Sequence, residues 1–178
     1  MTHADTKPQQ GSPFWRFSLQ FYRQPAVADA CIALQEEAGV DVNLLLFLLW
    51  QATQRRKFSP AEVAALEGRI GPWRETTVIP LRAVRRALKS PPALVEGGTA
   101  EGFRTRIKAV ELEAERLQQE AMYELARASP LGQEAFSPED AGRANVAAYE
   151  TMRAVAFQKP AVDCLLAAFA AMQRKPEE

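Results

Sequence analysis

The chain contains little of the chemistry on which most enzymes depend. Its 178 residues include one histidine, His3, which lies close to the N-terminus. A histidine in a polar terminal segment is not held in place for catalysis, so we predict no Ser-His or Cys-His pair and no histidine-containing metal cluster. The phosphate-binding patterns GxxxxGK[ST] and GxGxxG do not occur. We expect neither a metal nor a cofactor, and an enzyme is possible only with Glu, Arg or Tyr as its reactive groups.

Cysteine and long hydrophobic segments are also scarce. Cys31 and Cys164 lie in apolar helical patterns without CxxC spacing, which predicts free thiols in a reducing compartment. The run from Val42 to Trp50 has no charged side chain, but it is about half of the ~20 apolar residues that a bilayer requires. The segment from Met1 to Gln10 is polar, unlike a signal peptide. These features predict a cytoplasmic protein with no membrane partner.

Proline divides the chain into helices, because it is tolerated in the first turn of a helix and disrupts the interior. Ser59 and Glu62 also form the pattern of a capping box. The sequence therefore predicts an all-α protein, a single-domain bundle of six to eight helices around a central apolar helix. Prolines at predicted helix starts are Pro13, Pro25, Pro60, Pro72, Pro138 and Pro160.

Three boundaries follow from the same reasoning. Residues 1–12 are predicted to be a flexible tail, residues 13–174 the single domain, and the region near 90–100 a loop that contains Gly97 and Gly98. One stretch is ambiguous, because Thr76 to Ile79 is β-branched and Pro80 follows it. We interpret that region as two helices or one bent helix.

The clearest helical periodicity extends from Glu101 to Ala128. Its apolar residues alternate steps of four and three, as on one side of an amphipathic helix. We expect this apolar stripe to pack on the bundle. Its members are Phe103, Ile107, Val110, Ala114, Leu117 and Ala121.

Charge is balanced overall but segregated along the chain. The sequence has 22 basic and 22 acidic residues, which argues against a general binder of polyanions. Residues 1–54 have a net charge of −2, residues 55–108 of +7 and residues 109–178 of −5. The middle third of the chain is therefore the place to look for a site that binds an anionic group.

Within that third, four cations have the spacing of one helix face. The four are Arg82, Arg85, Arg86 and Lys89, at i, i+3, i+4 and i+7. Guanidinium groups pair well with carboxylates and phosphates. We predict a site that binds an acidic protein surface, formed by Arg74, Arg82, Arg85, Arg86 and Lys89. Two alternatives stay open: the face is solvated or pairs internally with the acidic helix around Glu111, or it binds a phosphate ligand. Nucleic acid is an unlikely partner, because no aromatic side chains alternate with the cations.

A second hypothesis concerns the aromatic residues near the N-terminus. Aromatic side chains at helical spacing are usually core residues, but they could also line a pocket for a small apolar ligand or an unrecognised active site. The group consists of Phe14, Trp15, Phe17, Phe21 and Tyr22, with Trp50 and Trp73 as possible neighbours.

The order of several motifs resembles a known family. They are Phe14-Trp15-x-Phe17-Ser18-Leu19, Tyr22-x-x-Pro25-x-Val27, Gly39-x-Asp41-Val42-Asn43-Leu44, Trp73-Arg74 and Pro80-Leu81-Arg82-x-x-Arg85. This order is similar to a proteobacterial family of small helical proteins that is catalogued only as a domain of unknown function. The resemblance covers residues 14–89 and implies a bacterial cytosolic protein, but no reaction or cofactor. Its polar members are Asp41, Asn43, Trp73, Arg74, Arg82 and Arg85.

These observations together predict a nonenzymatic interaction or adaptor module. Its partner is expected to be acidic and to dock on the basic helix face. The alternative is a protein with an aromatic-lined pocket that binds a small apolar ligand or catalyses a reaction.

Overall fold

The computed structural model of the chain describes residues 11–174, and these residues form an all-α domain, as predicted. Most of the predicted tail, residues 1–10, lies outside the described range. The helices are α1 (Pro13–Tyr22), α2 (Val27–Ala38), α3 (Val42–Thr53), α4 (Pro60–Trp73), α5 (Ile79–Ala87), α6 (Gly97–Ala128), α7 (Pro138–Arg153) and α8 (Lys159–Arg174). A π-helical turn, Arg74–Val78, joins α4 to α5.

The predicted capping box before α4 is present, and α3 is capped as well. The Ser59 hydroxyl accepts a hydrogen bond from the backbone of Glu62, and the Glu62 carboxylate accepts one from the backbone of Ser59. Asp41 precedes α3, and its side chain accepts hydrogen bonds from the backbone N–H groups of Asn43 and Leu44. Such caps satisfy donors that have no partner within the helix.

The apolar helix α3 lies at the centre of the bundle. Its residues from Asn43 to Ala52 are all buried, and α1, α6 and α7 pack around it. Two aromatic residues of α1 contribute to the same core: Phe14 lies with its ring centroid 5.4 Å from that of Phe47, and Phe21 is fully buried. Phe14 and Phe21 therefore fill the core beside α3, whereas Trp15 and Phe17 are half-buried and Tyr22 is exposed.

The chain from α4 to α5 is one continuous bent helix. Pro80 has no N–H with which to bond the carbonyl of Thr76, so the regular pattern cannot continue through this point. The N–H of Ile79 instead donates to the carbonyl of Arg74, the wider spacing of a π turn. Of the two interpretations of this region, the single helix is correct, because the helix continues from α4 through the π turn to α5, and Pro72 lies within α4.

Helix α6 differs from its prediction in two respects. It begins at Gly97, within the expected loop, because the Glu96 carboxylate accepts hydrogen bonds from the N–H groups of Gly98 and Thr99 and caps the first turn. Most of the predicted apolar stripe is not buried: Ala114 is buried, but Phe103 and Leu117 are 45% and 46% exposed. The buried residues of α6 are Ala100, Glu111, Ala114, Gln118, Gln119 and Met122.

A short pair of strands was not predicted. Strands β1 (Arg56–Lys57) and β2 (Gln133–Glu134) pair antiparallel between α3 and α7. The Asn145 side chain supports β1 because it donates to the carbonyl of Arg56 and accepts from the N–H of Phe58. These contacts connect segments about ninety residues apart in sequence, which no local pattern encodes.

Two further sequence predictions concern thiols and membranes. Cys31 and Cys164 are free, as predicted, and Cys31 is buried. Burial raises the pKa of the Cys31 thiol to about 12. Within the described residues, no helix combines the length and the apolar character that crossing a bilayer requires.

Candidate functional site

Asp41 is the centre of a buried polar cluster. Its position at the start of α3 places the carboxylate between α4, α6 and α7, and the residue is 8% exposed. One carboxylate oxygen caps α3, and the other accepts hydrogen bonds from Arg74 Nη1 at 2.8 Å and from Gln118 Nε2 at 2.9 Å. The backbone N–H of Asp41 donates to the Tyr149 hydroxyl at 2.8 Å. Every side of this carboxylate is therefore occupied.

Arg74 joins Asp41 to a second carboxylate. It stands at the first position of the π turn, and Glu67 lies two helical turns before it in α4. Arg74 Nη1 donates to Glu67 Oε2 at 3.0 Å, and Nη2 pairs with the other oxygen, which makes the contact bidentate. Hydrogen bonds from Arg74 to Glu67 and Asp41 raise the pKa of the guanidinium further above its usual value. Arg74 is therefore a permanent positive charge between two acids.

A row of amide side chains extends this cluster into the core. Asn43 Nδ2 donates to Gln118 Oε1 at 3.3 Å, and Gln119 Nε2 donates to Asn43 Oδ1 at 2.8 Å. All three residues are buried. We call the connected set the polar chain: Glu67, Arg74, Asp41, Gln118, Asn43 and Gln119.

A second group of charges fixes α5 to α6. Glu111 accepts hydrogen bonds from both Arg82 and Arg85, with Arg82 Nε at 3.1 Å. Arg82 also donates to Glu115 at 2.9 Å and to Gln35 of α2 at 3.0 Å. The side chain of Glu111 is only 7% exposed, so the ion pairs lie within the protein. We call this group the α5–α6 ion cluster.

The pKa values of the two carboxylates in the ion cluster, Glu111 and Glu115, are shifted in opposite directions. Burial alone would raise the pKa of Glu111, but hydrogen bonds from Arg85 and Arg82 outweigh it and lower the pKa. At Glu115 burial dominates and raises the pKa, although Arg82 opposes it. Glu111 is therefore the principal anion to which α5 is fixed.

The predicted binding residues are consequently in three different environments. Arg74 belongs to the polar chain, and Arg82 and Arg85 belong to the ion cluster. Arg86 is more than half exposed and forms an exposed pair with Glu36 at 3.3 Å, while Lys89 is exposed with no ion pair to any described residue. Internal pairing, one of the alternatives left open by the sequence, applies to Arg82 and Arg85.

The charges around Asp41 are held in place by hydrogen bonds. A general acid or base needs a pKa near the working pH and a proton that can move to a substrate. The Asp41 carboxylate is saturated by donors, and burial raises the pKa of the neighbouring Tyr149 hydroxyl above its usual value. Among residues 11–174, no three His, Cys, Asp or Glu side chains are grouped as metal ligands would be.

Two surface grooves border α6. One, of about 580 Å³, runs between the C-terminal ends of α3 and α6 and is lined by Trp50, Tyr123 and other residues. The other, of about 480 Å³, separates α4 from α6. We call it the α4–α6 groove, and it is lined by Arg69, Ile70, Trp73, Leu117, Gln118, Ala121 and Leu125. Trp73 is fixed there, because its indole N–H donates to the carbonyl of Ala114 at 3.0 Å.

Sequence reasoning missed most partners of the arginines. Glu67 was detectable, because it precedes Arg74 by two helical turns and both lie on one side of a helix. Gln118 and Gln119 gave no signal, since polar residues in an amphipathic helix are expected to face water. Their burial depends on the position of Asp41 and Asn43, which come from a distant part of the chain.

The fold and these clusters define a compact all-α protein with an internal ion-pair framework. The family described as "Protein of unknown function (DUF2390)" matches residues 13–122, and the chain belongs to this family. The match includes α1 to α5 and most of α6, and so both the polar chain and the ion cluster. No curated protein and no solved structure gives a significant match to the chain.

Proposed function

We propose that this protein is a nonenzymatic interaction module that docks an acidic protein partner on the exposed face of α5. The observation that carries the proposal is the composition of that face. Arg86 of α5 and Lys89 of the turn that follows it are exposed, beside an exposed apolar ridge formed by Ile79, Ala83 and Ala87. Because the three ridge residues are spaced by four, they follow one side of the helix.

The surroundings of α5 favour a negatively charged partner. Residues 79–110, which comprise α5, the following loop and the first part of α6, contain seven basic and two acidic residues. Arg82 and Arg85 are neutralised by the ion cluster, and this pairing holds α5 in place for its other face to bind. Charges that remain exposed attract an acidic surface over long distances.

The ridge argues for a protein rather than a nucleic acid. Small and branched alkyl side chains pack against a helix, whereas single-stranded nucleic acid needs aromatic rings on which bases stack. Helix α5 contains no aromatic residue. A partner helix that carries acidic residues beside an apolar side would match both the cations and the apolar ridge of α5.

The test is recovery of partners from the native host with two matched variants. The double variant R86E/K89E reverses the proposed contact, and R127E/K159E reverses two exposed cations on α6 and α8. Both should fold like the parent, because exposed ion pairs contribute only ~0 to 1 kcal/mol each. We expect R86E/K89E to lose an acidic partner that R127E/K159E retains.

Salt provides a second criterion for the same contact. Raising the ionic strength shortens the Debye length from ~10 Å at 0.1 M to ~3 Å at 1 M, so a partner attracted by Arg86 and Lys89 should dissociate. Recovery of the same partners by the parent and both variants would refute docking on α5.

A second candidate function is binding of a small apolar ligand. The α4–α6 groove favours it, because Ile70, Trp73, Leu117 and Leu125 give this opening an apolar lining. The intrinsic fluorescence of Trp73 should change on binding, which a Trp73→Phe variant can confirm. Lack of a saturable change with a series of fatty acids and aromatic acids would count against this function.

A further inference from the structure

Helix α6 exposes an apolar stripe along its outer side. Phe103, Val110 and Leu117 are 45%, 52% and 46% exposed and are spaced by seven residues. Seven residues are nearly two helical turns, so the three side chains form one line, as at a coiled-coil contact. The inner side of the same helix faces α1, α3, α5 and the π turn, and Leu117 also lines the α4–α6 groove. The stripe is therefore an unpartnered helix face in the described part of the chain.

The charges of α6 favour another copy of the same helix in the opposite direction. Residues 97–110 contain three basic residues and one acidic residue. Residues 111–124, apart from Glu111 and Glu115 of the α5–α6 ion cluster, contain three acidic residues and one basic residue. Two parallel copies would place like charges side by side. Two antiparallel copies would place the basic half of each against the acidic half of the other, which is complementary.

We propose that α6 pairs antiparallel with α6 of a second copy of this chain. The twofold axis passes near Val110, so that Phe103 and Leu117, each seven residues from Val110, meet across the axis. Such an interface is self-complementary, as in the commonest homodimers. This pairing uses a face of α6 other than the basic face of α5 and is independent of the acidic partner.

One pair of charges beside the stripe matches this geometry. Arg106 precedes Val110 by four residues and Glu113 follows it by three, and both lie on the same flank of the stripe. In the antiparallel pair, Arg106 of one copy approaches Glu113 of the other. Glu113 now pairs with Arg116 at 2.7 Å and is half exposed, so its carboxylate is accessible for this contact.

The expected association is weak. We expect a contact along one helix face to bury less than the ~1,200 Å² at which stable interfaces begin. We therefore expect a dissociation constant between about 1 μM and about 1 mM. The dimer should therefore form on concentration and dissociate on dilution, and sedimentation velocity over that range measures it.

The chain offers a closely matched pair of variants. Val110 and Leu112 lie on the same helix and are each 52% exposed, but only Val110 belongs to the stripe. V110K should abolish the dimer by placing two lysines at the axis, while L112K should dimerise like the parent. Both should keep the helical circular dichroism of the parent, because neither position is buried. Equal dimerisation of both variants would overturn the proposed interface.

Charge exchange and crosslinking test the direction of the helices. R106E should weaken the dimer at least tenfold, and R106E/E113R should restore it, because the pair is re-formed with its signs reversed.

In a C164S background, a mixture of F103C and L117C should form a disulfide between the two variants, whereas F103C alone should not. A dimer that crosslinks through F103C alone is parallel and refutes the proposal.

The remaining outcome is that the protein stays monomeric at every concentration tested. If the parent sediments as a single monomeric species up to about 1 mM, the stripe does not bind a second copy. Self-association is then excluded, whereas docking on Arg86 and Lys89 is unaffected.

Discussion

Asp41 and Arg74 form an ion pair in which the guanidinium Nη1 lies 2.8 Å from the carboxylate Oδ2. The two side chains are 5% and 17% exposed, so the pair lies within the bundle. Asp41 begins the central helix α3 and Arg74 begins the π turn. The contact therefore fixes the bend between α4 and α5 relative to the core, and the orientation of α5 depends on it.

Replacing Asp41 by Ala should strongly destabilise the fold. The change removes the cap of α3 and leaves Arg74 and Gln118 without a shared acceptor, and breaking a buried pair costs about 3 to 5 kcal/mol. Chemical denaturation followed by circular dichroism measures the loss. The control is Glu124→Ala, since Glu124 pairs with Arg127 at the surface; its effect should stay within ~0.5 kcal/mol. Equal stability of the two variants would contradict a structural role for the polar chain.

Reversing the buried arginines should unfold the protein more readily than reversing the exposed cations. In R82E/R85E, two new carboxylates face Glu111 in a site that excludes most water, and the loss should be about 3 kcal/mol or more. R86E/K89E changes net charge equally but at the surface, so its stability should change by ~1 kcal/mol at most. Urea denaturation of both variants checks the difference, and similar midpoints would show that Arg82 and Arg85 are not structural.

The ion cluster should make stability depend on pH in acid. The folded-state pKa of Glu111 is lowered below its unfolded value of ~4.3, so its contribution is complete above that value and is lost as pH falls through the folded pKa. Glu111→Gln should therefore be less stable at neutral pH, and its stability should fall less steeply between about pH 5 and pH 3.

Replacing Glu115 should change the pH dependence of stability in the opposite direction. Because its pKa is raised in the folded state, ionisation of Glu115 costs stability as pH rises above the unfolded value. Glu115→Gln should therefore show a steeper loss toward acid than the parent. Thermal midpoints from pH 3 to pH 7 for the parent and both variants provide the comparison; parallel curves would be incompatible with these assignments.

The central helix should tolerate no truncation. Leu48 is fully buried in α3, and Leu48→Ala should cost about 2 to 5 kcal/mol through lost burial and the cavity that remains. Leu112→Ala removes the same atoms from a side chain that is 52% exposed, and surface changes are usually within ~0.5 kcal/mol. Differential scanning calorimetry measures both. A melting temperature for L48A close to that of L112A would mean that α3 is not the core.

Local sequence patterns predicted where the helices begin and end better than they predicted which side of each helix faces the core. Ser59 and Glu62 mark a helix start through contacts three residues apart, and Pro80 marks a bend because it lacks an N–H. The outward side of α6 was predicted wrongly. Phe103 and Leu117 have ideal spacing for a buried stripe, but Glu111 and Gln118 occupy the inner side because α5 and Asp41 offer them polar partners.

The sequence alone determined the all-α class, the buried central helix, the main caps and the concentration of positive charge in the middle third of the chain. These features depend on residue type and on spacing of a few positions, which is why they can be predicted without a structure. Tertiary structure alone decided which of these cations are buried in internal ion pairs and which lie at the surface. Arg82 and Arg85 point inward and Arg86 and Lys89 outward because helices from distant parts of the chain bring Gln35, Glu111 and Glu115 against one side of α5.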